Sequence, residues 1–283
     1  MLFNLSHTVN QENITLVFYI LVYMHLLTIT FFLIVAAIIV LFYLARRKKT
    51  LKRAELNSHI SAYSILLENH VQFYQKLNIT EKERFLKEIV DFLGGVTIEG
   101  VGVEVSDLDS VLVASSAIIP IFSFKNWRYQ NITNIILYPD TFNEEYQYEG
   151  EKRSTLGMVG TGYMNGQMVL SKQALHSGFS SQAGVNNTGI HEFVHLIDKS
   201  DGSTDGVPET LLNNSYVIPW LKLMHQEMKK IKRGDSDVDP YALTNEAEFL
   251  AVIAEYFFEK PSKLKKNHPE LFQMLLQIFN IKK

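Results

Sequence analysis

The chain has 283 residues, 47% of them hydrophobic and 20% charged, with 27 basic against 30 acidic side chains and no cysteine. That apolar content excludes a disordered chain and is enough for one large domain or two small ones. A net charge of −3 gives no general pull toward phosphate backbones, so no nucleic-acid partner is expected, and without cysteine there is no disulfide, thiolate ligand or thiol nucleophile.

The first element is a run from Leu16 to Ala45 that carries no formal charge. A membrane-spanning helix needs about 20 such residues, so the run is long enough to cross with tilt. His25, Thr28 and Thr30 are its polar interruptions; they bond the preceding helical turn or lie at the outer interface. Tyr19 and Tyr23 toward one end and Tyr43 at the other are expected interfacial anchors. No Lys or Arg precedes the run, whereas Arg46, Arg47, Lys48, Lys49, Lys52 and Arg53 follow it. Positive charge this one-sided places the remainder of the chain in the cytoplasm. The apolar run is also too long, and its start too poor in basic residues, for a cleaved signal peptide. The expected layout is an extracytoplasmic N-terminus (1–15), a transmembrane helix in the lipid bilayer (16–45), a basic linker (46–64) and a folded domain (65–283). The expected location is the cytoplasmic (inner) membrane, single-pass.

Beyond the linker, apolar spacing predicts a helix from Ile60 to Leu77. Thr80-Glu81-Lys82-Glu83 reads as a capping-box start for a second helix, ended by Gly94-Gly95. Asp107 is the expected cap of an apolar helix through Ile118, stopped by Pro120. Ile132 to Tyr138 reads as a strand, residues 144 to 163 as a polar glycine-rich loop, and Gly166 to Ser171 as a short strand. Asn187 or Thr188 caps the next helix, and a loop from Asp201 to Pro208 follows. Further helices are expected over Pro219–Lys232, Glu246–Phe258 and Glu270–Phe279. The pattern is α+β and mainly helical.

The capped helix contains His191-Glu192-Phe193-Val194-His195, an HExxH sequence. Four residues apart on a helix, the two imidazoles share a face and can reach one Zn2+, with Glu192 beside them as general base. The neighbours Phe193, Val194, Leu196 and Ile197 argue for a packed helix, and buried histidines need partners that a metal supplies. A third ligand must come from another element. The apolar helix near residue 250 offers Glu246, Glu248, Glu255 and Glu259, of which Glu248 and Glu255 share a face. Glu248 is either that ligand or the capping-box partner of Asn245. Glu255, among apolar neighbours, needs a donor, either a ligand histidine or a structural partner.

HEFVHLID, then Gly206-Val207-Pro208, Tyr241-Ala242 and AEFLAVIAEYFFEKP, with EVSDLDSVLVASSAIIP, IILYPDTF and GQMVLS upstream, resembles the MtfA (Mlc titration factor A) family of zinc metallopeptidases. The resemblance covers roughly residues 65 to 282. It implies a zincin fold like that of the anthrax lethal factor catalytic domain, one zinc per chain, Glu248 as third ligand and Tyr241 as a transition-state donor. It also implies that the strand Gln167, Met168, Val169, Leu170 and Ser171 is an exposed edge on which a peptide substrate adds. Asp198 is a further candidate for a carboxylate supporting the ligands. The sequence departs from the family at Glu246, where a proline usually opens the ligand helix, and in its membrane helix. Three readings follow: a membrane-anchored zinc peptidase working through a Glu192-activated water, a tethered module that sequesters a regulatory protein, and a zinc hydrolase of a non-peptide bond. An intact base and three ligands favour the first.

Overall fold

The longest helix among the described residues, α1 (Phe3–Ser58), takes in the whole apolar run and the basic stretch after it. The structure, a computed structural model, describes residues 3–281 apart from 144, 151–152, 161 and 181–183. Within α1 the segment Tyr23–Ser58 is long and apolar enough to cross a membrane, its most apolar 18-residue stretch having a mean hydropathy of 2.8 with none of it buried. Its polar residues bond back along the helix: Thr28 Oγ1 donates to His25 O (2.8 Å) and Thr30 Oγ1 to Leu27 O (2.9 Å). The helix begins well before Leu16, so most of the expected N-terminal tail is helical too. Of the basic cluster, the Lys49 and Arg53 side chains lie outside the described residues. The chain divides into two compact units, one up to Glu55 and one from Leu56 onward.

In the second unit the expected first helix is two, α2 (Ile60–His70) and α3 (Gln72–Gln75), broken at Val71, whose backbone is extended. The next helix, α4 (Ile79–Gly95), is capped by Asn78 with Glu81 rather than by Thr80 with Glu83. Asn78 accepts from the Glu81 N–H, and Glu81 accepts from the Asn78 N–H. The same shift recurs at α5 (Asp107–Ile121), where Ser106 and Asp109 form the box and Asp107 is the first helical residue. Pro120 does not end α5 but sits inside its last turn. Every residue from Val111 to Ile121 is buried, as befits a helix that is apolar all round.

Four strands form one sheet in the order β1-β2-β4-β3. Strands β1 (Thr97–Gly100), β2 (Asn134–Tyr138) and β4 (Gln167–Ser171) are parallel, and β3 (Gly157–Val159) closes the sheet antiparallel to β4. The strand expected at the edge, β4, is therefore interior. The edge is β3, inside the stretch expected to be loop, part of which (144, 151–152 and 161) lies outside the described residues. Strand alternation sorts the side chains: Ile135, Leu137, Met168 and Leu170 enter the main core, while Tyr138, Phe142 and Val169 form a small cluster elsewhere.

Helix α6 (Lys172–Gly178) follows β4, and α7 (Thr188–Asp198) carries the HExxH sequence. Helix α8 (Asn214–Arg233) starts earlier than expected because Asn213 caps it and Pro219 is tolerated near its start. Helix α9 (Glu246–Glu259) is capped by Asn245, and α10 (Pro261–Asn267) and α11 (Pro269–Ile278) end the fold. Helix α7 packs against α5, α9 and β3, which puts it at the centre of the unit.

Candidate metal centre

The start of α7 is fixed before its histidines begin. Asn187 caps it by accepting the Ile190 N–H at 3.1 Å. The backbone N–H of Asn187 also donates to Glu255, and its side-chain amide donates to Glu259 Oε1 at 2.9 Å. One residue thus ties the helix carrying both histidines to α9, which carries Glu248. The sequence marked Asn187 as a cap and gave no sign of its bonds to α9.

On this frame three side chains meet. Glu248 Oε2 lies 2.9 Å from His191 Nε2 and 3.4 Å from His195 Nε2, and the two nitrogens are 3.1 Å apart. A single N–H can bridge the two ring nitrogens, but with Glu248 Oε2 beside both, three atoms of ligand type converge on one point, where one shared cation can engage all of them. Three ligands of a tetrahedral zinc with bonds of ~2.1 Å stand roughly 3.3 Å from one another, which the observed spacing matches. Among the described residues this is the one group of His and carboxylate side chains whose ligand atoms converge, all within 4.8 Å. The residues fit a divalent ion.

Glu255 stands behind the histidines. His191 Nδ1 donates to Glu255 Oε1 at 2.7 Å, which leaves Nε2 to face Glu248 and fixes the ring's orientation. Burial alone would lower the His191 pKa, yet hydrogen bonds to Glu248 and Glu255 carry it up to about 10. Glu248 shows the converse: burial opposes its ionisation, but the two histidines hold it at about 2. Glu192, 6% exposed, lies against Gly157 of β3. A Cβ on Gly157 would stand 2.6 Å from Glu192 Cγ, so only glycine lets the edge strand pass this close. Burial raises the Glu192 pKa above the usual carboxylate range, against the pull of His191 and His195.

Tyr241 lies in a short 3-10 turn, Pro240–Leu243, capped by Asp239. Its ring centroid is 6.1 Å from that of His191, and it is 54% exposed at the mouth of the site. Partial burial and the nearby charges of Glu248, Glu192 and Glu255 raise its pKa, so the hydroxyl stays protonated and able to donate. Asp198 does not join the ligands. Its Oδ2 instead accepts the Gly206 N–H at 2.9 Å, while Oδ1 is buried and has no partner among the described residues. Gly206, at φ +74°, passes so close to α9 that a Cβ would fall 2.2 Å from Glu246 O. The Gly206 carbonyl in turn accepts from Trp220 Nε1 at 2.7 Å. Asp198 thereby anchors the loop that presses on the start of the Glu248 helix. Its direction follows from the helix: three residues past His195, it faces the returning loop and not the converging nitrogens. Glu246 faces outward toward His225 (3.3 Å), as a residue in an exposed first turn does.

A mainly helical α+β domain around a small sheet, with a His-His-Glu group able to hold a divalent ion, has the makings of a metal-dependent peptidase. Residues 42–280 match the family described as glucose-regulated metallo-peptidase M90, and the chain belongs to that family. An uncharacterized protein of Synechocystis sp. is 27% identical over 244 residues, covering 82% of this chain and 87% of its own. The Mlc titration factor A of Pectobacterium atrosepticum is 27% identical over 177 residues, covering 57% of this chain and 64% of its own. That of Salmonella arizonae is 26% identical over 194 residues, covering 63% and 74%. The resemblance to the MtfA family drawn from the motifs is borne out.

Proposed function

We propose that the chain is a membrane-anchored zinc peptidase of zincin type, with one Zn2+ held by His191, His195 and Glu248. The observation that carries this reading is the convergence of two imidazole nitrogens and one carboxylate oxygen from α7 and α9 at 2.9 to 3.4 Å. Bound there, the ion supplies Lewis acidity toward the scissile carbonyl and the attacking water. Glu192 takes a proton from that water at its carboxylate and later delivers it to the leaving amide nitrogen. Its raised pKa makes it a stronger base than an ordinary carboxylate. The Tyr241 hydroxyl donates to the oxyanion that forms on the carbonyl oxygen. Glu255 and Asn187 hold His191 and α7 in register and touch no reacting atom.

The substrate strand adds to β3. Ladder bonds join Ser171 N–H to Leu156 O (2.7 Å) and Gly160 N–H to Gln167 O (2.9 Å). By the alternation of an antiparallel pair, the backbone groups of Gly157 and Val159 then point to the free side, where a peptide can pair. This moves the docking role from β4 to β3. The segment within α1 spans the inner membrane once, and the basic residues after it keep the peptidase domain in the cytoplasm. In domain terms the reading retains an anchor over 16–45, a basic connection over 46–64 and a peptidase domain from 65 onward.

A second reading, a tethered module that retains a regulatory protein, draws on the names of the relatives, which are titration factors. Glu192→Gln separates the two. The variant is expected to keep near one zinc per chain and to lose hydrolysis of a peptide by about a thousandfold. Undiminished hydrolysis overturns the proposed mechanism.

A further inference from the structure

Helix α7 and strand β3 run side by side in the same direction. Gly157 lies against Glu192, and three strand residues later Lys199 Nζ reaches Gly160 O at 3.5 Å. Seven helical residues and three strand residues each advance about 10 Å, so the two contacts agree. Where α7 ends, a cavity of about 480 Å³ opens between the two elements. Its walls include Trp127, Tyr129, Val159, Leu196 and Gly160 on an apolar side and Asn131, Asn165 and Ser200 on a polar one, with Lys199 at the edge. The aromatic wall is rigid. Trp127 and Tyr129 meet edge to face at 4.8 Å, Tyr129 packs on Phe193 at 5.1 Å, and its hydroxyl donates to Ala117 O at 2.8 Å.

Two charged groups line the cavity, and only the carboxylate of Asp201 has its hydrogen-bonding atoms filled by neighbouring donors. Asp201 is fully engaged: Oδ1 accepts from the Ser203 N–H and hydroxyl at 3.0 and 2.8 Å, and Oδ2 from the Glu209 N–H at 3.0 Å. Lys199 is half-buried and, among the described residues, has no carboxylate within 4 Å. Among the described residues its partner is Gly160 O, at the long distance of 3.5 Å. An ammonium removed from water without a counter-charge favours an anion that enters beside it.

We infer that this cavity is a substrate subsite that takes an acidic side chain, glutamate above all, two or three residues from the bond cleaved. The inference rests on the peptidase reading and on peptide pairing along β3, since about 10 Å of extended chain spans roughly three residues. The apolar walls pack the methylenes of the side chain, and Lys199 meets its carboxylate.

The test is a positional scan with the zinc-loaded full chain in detergent. Peptides of otherwise neutral sequence carry Glu or Gln at one position at a time, from three residues before the cleaved bond to three after it. At one position, two or three from the bond, the Glu peptide is expected to exceed the Gln peptide about tenfold in kcat/KM. Lys199→Met is expected to bring that ratio near one, and Lys199→Glu to reverse it in favour of a Lys peptide. Zinc content and thermal midpoint check that each variant has folded. A wild type indifferent to Glu at every position, or a preference that survives Lys199→Met, overturns the subsite. Should the wild type cleave no peptide, the peptidase reading falls by itself. The subsite is then judged by fluorescence anisotropy of the same Glu and Gln peptides, and equal binding overturns it.

Discussion

Two histidines in the second unit sit between pairs of carboxylates, and the difference between them separates a metal centre from a structural network. His268 Nδ1 lies 3.1 Å from Glu227 Oε2 and Nε2 lies 2.8 Å from Asp237 Oδ1. Each of those carboxylates has other donors: Lys230 on Glu227, and Tyr256, Asn267 and Lys263 on Asp237. Every proton there has an acceptor, and the network ties α8, the segment before the 3-10 turn, α9 and α10 together. His191 also has a carboxylate on each side, but a second imidazole nitrogen intrudes at 3.1 Å. The first arrangement surrounds one ring with carboxylates, whereas the second brings two imidazoles and a carboxylate onto one point, a set able to hold a metal ion.

Replacing each histidine breaks the comparison most sharply. His191→Ala is expected to lose bound zinc and to lower peptide hydrolysis by at least a thousandfold, read by metal analysis and initial rates. His268→Ala is expected to keep its zinc and to lose about 2 kcal/mol of stability, read by urea unfolding, because Glu227 keeps Lys230 but its buried Oε2 loses its partner. Equal metal content in the two variants would erase the distinction.

A smaller effect is expected at Asp198. Burial raises its pKa to about 6, against the opposing Gly206 hydrogen bond. A carboxyl whose folded pKa lies above its unfolded value favours folding at low pH and loses that contribution as pH rises from about 4 to 6. Asp198→Asn keeps an oxygen for Gly206 and removes the charge. It is expected to raise the unfolding free energy at pH 7 by roughly 2 kcal/mol and to flatten the pH profile over that window, measured by chemical denaturation across pH. Tyr241→Phe should have the mildest catalytic consequence, about a hundredfold in kcat with zinc content unchanged, the size of one lost hydrogen bond to a developing charge.

The same comparison explains what the sequence made legible. His191, Glu192 and His195 lie within one helical turn, so their shared face follows from spacing alone. Glu248 needed the resemblance, because a capping role and a ligand role compete at that position. In the structure its backbone N–H donates to Asn245 Oδ1 at 2.9 Å while its carboxylate turns to the histidines, so the cap does not occupy the carboxylate oxygens. The His268 network draws on residues 227, 237, 256, 263 and 268, and no local pattern joins them. Strand β3 escaped because three residues, Gly157-Met158-Val159, are too short to show alternation inside a polar stretch, and its absence from the reading moved the sheet edge onto β4. The capping box at α4 came out displaced by two residues and the cap at α5 by one, where an asparagine or serine and a later acid compete with equally plausible neighbours. The fold class and the α7 site were open to reading; the contacts from Asn187 and Asp198 depend on how helices and loops return in space.

Zinc analysis of Glu248→Ala beside the wild type tests the central claim most directly, because this residue alone links α9 to the two histidines as a ligand. The wild type is expected to hold near one zinc per chain, and the variant well under a tenth of that after dialysis against a weak chelator, with its helical content intact. A variant that keeps its zinc under those conditions would contradict the three-residue site.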